Sequence, residues 1–179
     1  MPPPLTVTFA AGSTGPWRIE RLSLVAGPGL PAATHLAMTD QPGASWRLRG
    51  VVSHPRYSTA AELKTLAGVQ AGLGRPEATC AALIPIRKSE AWWSMAQDER
   101  RAIFEERSRH IALSMKYLPA IARRLHHARD LGEPFDFLTW FEFAPEHEAA
   151  FDELLAELRA SPEWTYVERE VEIRVRRID

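Results

Sequence analysis

A histidine lies among apolar residues that recur at helical spacing. Over residues 96–118, Ile103, Ile111 and other apolar side chains fall on one stripe, and His110 falls on the same stripe. This pattern predicts an amphipathic helix with an imidazole on its buried face. Pro119 ends the helix, because proline lacks an N–H group and restricts the residue before it. Such a histidine is either a hydrogen-bonded core residue or a metal ligand, and its position alone favours the core residue.

Three further side chains favour the ligand. Arg123 lies on the next predicted strand, and an arginine with no obvious acidic neighbour is costly to bury without an anionic partner. Lys88 and Trp92 precede the helix and could bind the carboxylates of a large flat ligand, a porphyrin; a solvated lysine and a core tryptophan are the alternatives. The sequence contains no C-x-x-C-H motif, so a haem bound here would be non-covalent haem b.

The composition is that of a globular protein. The chain has 179 residues, 45% of them hydrophobic, and a formal net charge of −1, so it lacks the basic surface expected of a nucleic-acid-binding protein. No stretch has the length of a membrane span, and the first residues lack the pattern of a signal peptide. The one cysteine, Cys80, excludes an intramolecular disulfide. We therefore expect a cytoplasmic protein.

Residues 1–75 are expected to form a strand-rich N-terminal half. Alternating or apolar segments bounded by glycine and proline predict strands at residues 5–9, 17–25, 33–38 and 46–52. A helix over residues 59–73 follows, with Thr59 as its cap and Gly74 at its end.

Residues 76–179 give a clearer pattern, in the order βαββαβ. The segments are a strand at 78–87, the helix at 96–118, a hairpin of strands at 121–129 and 135–143, a helix that begins at Pro145, and a strand at 167–175. This order is typical of the ferredoxin-like α+β fold. If the first half is a truncated copy of the second, the two sheets pack as an α+β barrel in one compact unit.

Long segments of the sequence closely resemble the chlorite dismutase family, and most of all its short, dimeric branch. The segments are residues 81–93, 98–110, 116–123, 132–142 and 163–170 and, less tightly, 49–54 and 69–74. The resemblance therefore covers most of the chain, and matches of this length are more specific than a short motif.

The resemblance implies two groups of site residues. On one side of a haem, His110 matches the proximal iron ligand, and Glu163 matches the carboxylate that accepts a hydrogen bond from its other nitrogen. Lys88 and Trp92 match groups at or near the propionates. Without the resemblance, Glu163 after Pro162 would be taken for a surface turn residue.

The other group lies on the distal side, where the substrate binds. The members are Arg123 as the flexible distal arginine, Gln70 as a glutamine able to hydrogen-bond to it, and Leu118 as apolar wall. The implied activity is haem b-dependent conversion of chlorite to chloride and dioxygen, through an oxidised iron-oxo haem and a transient hypochlorite. The implied partners are the small anion chlorite and a second copy of the chain in a homodimer.

Other functions remain as alternatives. A coproheme decarboxylase belongs to the same superfamily, but that branch has a tyrosine where this chain has Ile84 and a glutamine where it has Arg123. A haem peroxidase would need a distal histidine or acid, and none is obvious near Arg123. A non-enzymatic haem carrier or sensor, or an α+β interaction module with His110 in its core, comes from a different class.

Overall fold

The computed structural model describes residues 5–52, 72–103, 116–117 and 120–178. Within them, eight β-strands form most of the regular structure. They are β1 (Thr6–Gly12), β2 (Trp17–Ala26), β3 (His35–Ala37), β4 (Trp46–Val52), β5 (Cys80–Lys88), β6 (Ile121–His127), β7 (Phe137–Phe143) and β8 (Val167–Arg177). Each overlaps a strand that the sequence predicts, with ends displaced by a few residues.

The described residues also contain helices. They are α1 (Glu90–Trp93), α2 (Gln97–Arg101) and α3 (Glu148–Arg159), with short 3₁₀ helices at Arg129–Leu131, Pro145–His147 and Pro162–Tyr166. The helix predicted from Pro145 is confirmed, with a 3₁₀ first turn. Of the helix predicted at 96–118, residues 96–103 are described and contain α2, and residues 116–117 are described as a turn rather than as helix. Residues 59–71 of the other predicted helix lie outside the description. No helix in the described ranges is long and apolar enough to cross a membrane.

The strands form one closed antiparallel barrel. Their order around it is β1-β3-β2-β8-β5-β7-β6-β4, and β4 pairs with β1 to close it. The four strands of the C-terminal half are contiguous, in the order β8-β5-β7-β6. Helices and an antiparallel sheet in one chain confirm the predicted α+β class.

The hairpin between β6 and β7 has shorter strands than predicted. β6 ends at His127 and β7 begins at Phe137, so each strand is two residues shorter at the connection. The carbonyl of Asp136 accepts the N–H groups of Ala128 at 2.9 Å and Arg129 at 3.3 Å. These bonds turn the chain out of the strand ladder and into a 3₁₀ turn.

Alternation along the strands divides the buried side chains between the two faces of the barrel wall. Leu83, Trp140 and Ile173 belong to an apolar cluster that fills the interior. Ile84 and Phe141 belong to a second cluster on the outer face, beneath α3. The buried residues of α3 recur at helical spacing and are Phe151, Leu154, Leu155 and Leu158.

The barrel interior also encloses His126 in its neutral form. The ring is fully buried; Arg124 Nε donates to its Nε2 at 3.0 Å, and its Nδ1 lies 2.9 Å from the carbonyl oxygen of Leu138. Since Nε2 accepts, Nδ1 holds the proton and donates to Leu138. Burial, together with the charge of Arg124, lowers the pKa of His126 to about 4.

His126 is therefore expected to make folding stability fall as the solution is acidified. The unfolded chain binds the proton near the ordinary value of 6.5 and the folded chain only near pH 4, so this contribution is present above pH 6.5 and is lost between these values. The shift corresponds to roughly 3 kcal/mol. In urea unfolding, His126→Gln should lose less stability on acidification than the unaltered protein, whereas His147→Gln, at a partly exposed histidine, should lose the same amount. Equal pH dependence in all three proteins would contradict this.

Candidate functional site

The basic residues singled out in the sequence lie on the outer face of the barrel wall. Leu83 points into the interior, so Ile84, the next residue of β5, points outward. Lys88 lies on the same outer side, because its Nζ is 5.5 Å from the ring centroid of Phe137, which shares a face of β7 with the outward-facing Phe141. Arg123 of β6 lies opposite Phe141 of β7, which packs on the same outer face. The wall formed by β5, β7 and β6 therefore presents two cationic side chains on one surface.

Lys88 and Glu163 form a buried ion pair. Nζ of Lys88 lies 2.6 Å from Oε1 of Glu163, and the two side chains are only 5% and 3% exposed. Lys88 is the last residue of β5, and Glu163 lies in the 3₁₀ helix that precedes β8. The N–H of Ser89 donates to the carbonyl of Tyr166 at 2.7 Å, which ties these two segments together.

Aromatic rings surround the ammonium group of Lys88. Its Nζ lies 3.6 Å from the ring centroid of Trp92 and 5.5 Å from that of Phe137, distances at which a cation is attracted by a ring face. Trp92 is fully buried, and its ring lies 5.6 Å from that of Tyr166. These rings keep water away from the ion pair, which strengthens the attraction between its charges.

Burial and neighbouring charges shift the pKa of Lys88 in opposite directions. Burial has the largest effect and lowers the pKa; the carboxylates of Glu163 and then Asp136 raise it, and the net direction is downward. Glu163 thus offsets part of the cost of holding an ammonium ion in the interior. Without this partner, Lys88 would lose its proton more readily.

Arg123 is a partly buried cation within electrostatic reach of the same carboxylate. Burial lowers the pKa of its guanidinium, and the negative charge of Glu163 raises it. Arginine nevertheless stays protonated under ordinary conditions, so the site keeps a permanent positive charge. Such a group can bind a small anion or an acidic group of a larger ligand.

The structure thus brings together part of the predicted site. Lys88 contacts both Trp92 and Glu163, and the charge of Glu163 acts on Arg123. The other predicted members, His110, Gln70 and Leu118, lie outside the described residues.

Burial decides between alternatives that the sequence leaves open. Glu163 is 2% exposed, so it is not the surface turn residue that its position after Pro162 suggests. Lys88 is 6% exposed, which excludes a solvated lysine. Its ammonium lies on a protein carboxylate, and a role near haem propionates stays a prediction for Lys88 and Trp92.

Two hydrogen bonds of this region, both to Asp136, were not predicted from the sequence. Oδ2 of Asp136 accepts the backbone N–H of Lys88 at 2.7 Å and the indole N–H of Trp93 at 3.0 Å. The available signal was an acid between Phe135 and Phe137 at the start of an apolar strand, where a carboxylate without partners would be unfavourable.

Comparisons with known proteins agree on one family. The family model described as Chlorite dismutase matches residues 34–178. The crystal structure of dimeric chlorite dismutases from Nitrobacter winogradskyi is 61% identical, with 97% of this chain and 100% of that chain covered and a TM-score of 0.93. A variant of the chlorite dismutase from Candidatus Nitrospira defluvii is 26% identical over 75% of this chain and 56% of that chain, with a TM-score of 0.62. The chlorite dismutase of Ideonella dechloratans is 30% identical over 84 residues, which are 47% of this chain and 27% of that protein.

The matched region contains the site described above. Lys88, Trp92, Arg123 and Glu163 all fall within residues 34–178, the range of the family model. The match extends over well more than half of the sequence. The chain therefore belongs to the chlorite dismutase family.

Proposed function

We propose that this protein is a haem b-dependent chlorite dismutase, which converts chlorite into chloride and dioxygen. The observation that carries the proposal is the placement of Arg123, a permanent cation, on the same outer face of the barrel wall as the buried Lys88–Glu163 pair, in a chain of this family. A partly buried guanidinium suits a small anion, and chlorite is one.

The described residues fit a haem on chemical grounds. A histidine that binds iron needs an acceptor for its second ring N–H, and buried carboxylates commonly fill that role. Glu163 is a buried carboxylate of this kind, which supports His110 as the iron ligand. Trp92 and Lys88 lie beside Glu163 on the same side. When bound, the haem supplies the redox chemistry that acts on the chlorine–oxygen bonds of chlorite.

The residues of the chain bind the substrate and orient the groups around it. Arg123 attracts chlorite and holds it by charge and hydrogen bonds. Gln70 and Leu118 lie outside the described residues; the resemblance implies that Gln70 would hydrogen-bond to Arg123 and that Leu118 would form an apolar wall. The carboxylate of Glu163 lies 2.6 Å from Nζ of Lys88 and favours the charged ammonium form of that lysine. Glu163 then accepts the histidine N–H with a carboxylate of fixed position.

We extend the proposal to the architecture and the assembly. Residues 76–179 form a ferredoxin-like half, supported by the contiguous order β8-β5-β7-β6 with α3 on the outer face, and residues 1–75 form a truncated similar half of the same compact unit. The protein is a homodimer, supported by the 61% identical chlorite dismutases that are described as dimeric. A cytoplasmic location rests on the single cysteine, Cys80, which is buried and unpaired with another cysteine.

The experiment that tests the activity is the addition of chlorite to the haem-loaded protein at an oxygen electrode. We expect rapid release of dioxygen. His110→Ala should lose both the Soret band of bound haem and the release of oxygen, because the iron loses its ligand. His147→Ala, at a partly exposed histidine on the 3₁₀ turn before α3, is the matched control and should keep both.

Each other outcome points to a different function. A Soret band without oxygen release would overturn chlorite conversion and leave a haem carrier, a peroxidase or a coproheme decarboxylase. Ile84 disfavours the decarboxylase, because this buried aliphatic residue, opposite Thr139 in the β5–β7 ladder, provides no phenol at that position. No Soret band after addition of haem would leave an interaction module.

A further inference from the structure

Asp136 lies beside the Lys88–Glu163 pair and is fixed by several contacts. Its side chain is 9% exposed. One oxygen, Oδ2, accepts the N–H of Lys88 at 2.7 Å and the indole N–H of Trp93 at 3.0 Å, and the other lies 3.7 Å from Nε of Arg129. Hydrogen bonds to an ionised carboxylate are stronger than those between neutral groups, so Asp136 can act as an anchor for both donors.

The hydrogen bond from the N–H of Lys88 lies just beyond the point where the backbone pairing of β5 with β7 ends. The β5–β7 pairing ends at Ile86 and Phe137, two residues before the end of β5. The β5–β8 pairing shifts its register between Arg87 and Lys88. The backbone of Lys88 therefore lies at an irregular point of the sheet, and the carboxylate of Asp136 takes the N–H of Lys88 there.

The second bond fixes the helix that carries the aromatic ring facing Lys88. Trp93 lies in α1, a helix of four residues, which is too short to be stable without tertiary contacts. The Trp93 ring also stacks on Phe137 at 5.8 Å and lies 4.2 Å from the guanidinium carbon of Arg129. Trp92, in the same helix, places its ring 3.6 Å from Nζ of Lys88.

The carboxylate of Asp136 thus holds the backbone of Lys88. It also holds α1, the helix in which the Trp92 ring faces the ammonium group of Lys88. We propose that Asp136 is a positioning residue that keeps the Lys88 ammonium on Glu163 and thereby sets how strongly Glu163 accepts the hydrogen bond of the iron-binding histidine. The second part rests on the proposed haem-binding function. The negative charge of Asp136 also favours the ammonium form of Lys88, because it raises the pKa of Lys88 whereas burial lowers that pKa.

The test uses the iron–histidine stretching frequency of the ferrous, haem-loaded protein, measured by resonance Raman spectroscopy. Asp136→Asn should shift this frequency in the same direction as Lys88→Met and by a smaller amount. The double variant should show no shift beyond that of Lys88→Met, since residues that act through one another are not additive. Asp130→Asn removes the same charge from an exposed position in the β6–β7 connection and should leave the frequency unchanged.

An unchanged frequency in Asp136→Asn overturns the proposal. A further shift when Asp136→Asn is added to Lys88→Met also overturns it, because Asp136 would then act on the histidine directly by its charge. Trp93→Phe removes one donor to Asp136 without changing any charge. It should produce a shift in the same direction, and it provides the test if Asp136→Asn does not fold.

Failure of the proposed function has a different signature, namely that the unaltered protein binds no haem. The anchor is then tested by crystal structures of the unaltered protein and of Asp136→Asn. A contact between Nζ of Lys88 and Oε1 of Glu163 that stays at 2.6 Å in the variant would overturn the positioning role, and a longer separation would support it.

Discussion

Arg123→Ala is expected to release oxygen from chlorite for far fewer turnovers than the unaltered protein before its haem bleaches. The guanidinium is a permanent cation at a partly buried position on the outer face of β6. Without it, the hypochlorite implied as a transient product is held less tightly and escapes to oxidise the protein and its cofactor. We expect the total number of turnovers to fall about tenfold, which corresponds to losing roughly 1.4 kcal/mol of attraction for hypochlorite, and the initial rate to fall less.

The total oxygen yield per haem in excess chlorite measures this effect, with the Soret absorbance followed in parallel. Added methionine traps hypochlorite as its thioether is oxidised to the sulfoxide, so it should protect the haem of Arg123→Ala and yield more sulfoxide per chlorite than with the unaltered protein. Equal turnover numbers for both proteins would exclude a retaining role for Arg123.

The neighbouring arginine provides the matched control. Arg124 is the next residue of β6, but its side chain is on the opposite face, where it donates to His126 inside the barrel. Arg124→Ala should therefore keep the turnover number of the unaltered protein. Its folding stability should fall, because Nε2 of the buried His126 loses its hydrogen-bond donor and the buried carboxylate of Glu142, whose charge acts on Arg124, loses a cationic neighbour.

Local patterns predicted the strands well because the period of a strand is short and its two faces differ in polarity. The final strand is an example: along β8, Val171, Ile173 and Val175 are buried inside the barrel and alternate with charged residues. Barrel closure could not be predicted in the same way. It depends on which strands pair, and the placement of β3 between β1 and β2 is set by contacts that no local pattern encodes.

The site residues likewise divide into those that the local sequence indicates and those that it does not. The spacing of the residues indicated Arg123 and Lys88, whereas Glu163 was identified only through the resemblance, because a carboxylate in a turn gives no sign of its burial. Asp136 was missed because its partners, Lys88 and Trp93, are 48 and 43 residues away in the chain. Only the fold brings these donors to one oxygen.

Removing one member of the Lys88–Glu163 pair is expected to lower the free energy of unfolding more than removing both. Lys88→Met leaves a buried carboxylate without its ammonium partner, and Glu163→Gln leaves a buried ammonium without its carboxylate. Each is expected to cost about 3–5 kcal/mol, and the double variant should recover much of that loss, because it leaves no uncompensated buried charge. Urea unfolding of the full chain without haem measures these costs free of any change in haem affinity.

A surface lysine is the matched control for this cycle. Nζ of Lys116 lies 3.3 Å from Oε1 of Glu157, but the side chains are 57% and 31% exposed. Lys116→Met should therefore lower the free energy of unfolding by less than about 1 kcal/mol, since water already solvates both charges. A cost for Lys88→Met that is no larger would show that Lys88 is solvated in solution.

The cost of Glu163→Gln is further expected to shrink as the pH rises. In the unaltered protein burial lowers the pKa of Lys88, and Glu163 is the largest influence that raises it. Without Glu163 the pKa of Lys88 in the folded state falls further below the ordinary value of 10.5, whereas the unfolded chain keeps that value. Between the two values the unfolded state binds more protons, so the stability of the variant rises with pH. Urea unfolding at neutral and at alkaline pH should show that the difference in free energy of unfolding from the unaltered protein narrows. A constant difference would mean that Lys88 stays charged through another carboxylate, and Asp136 is the candidate because its charge also raises the pKa of Lys88.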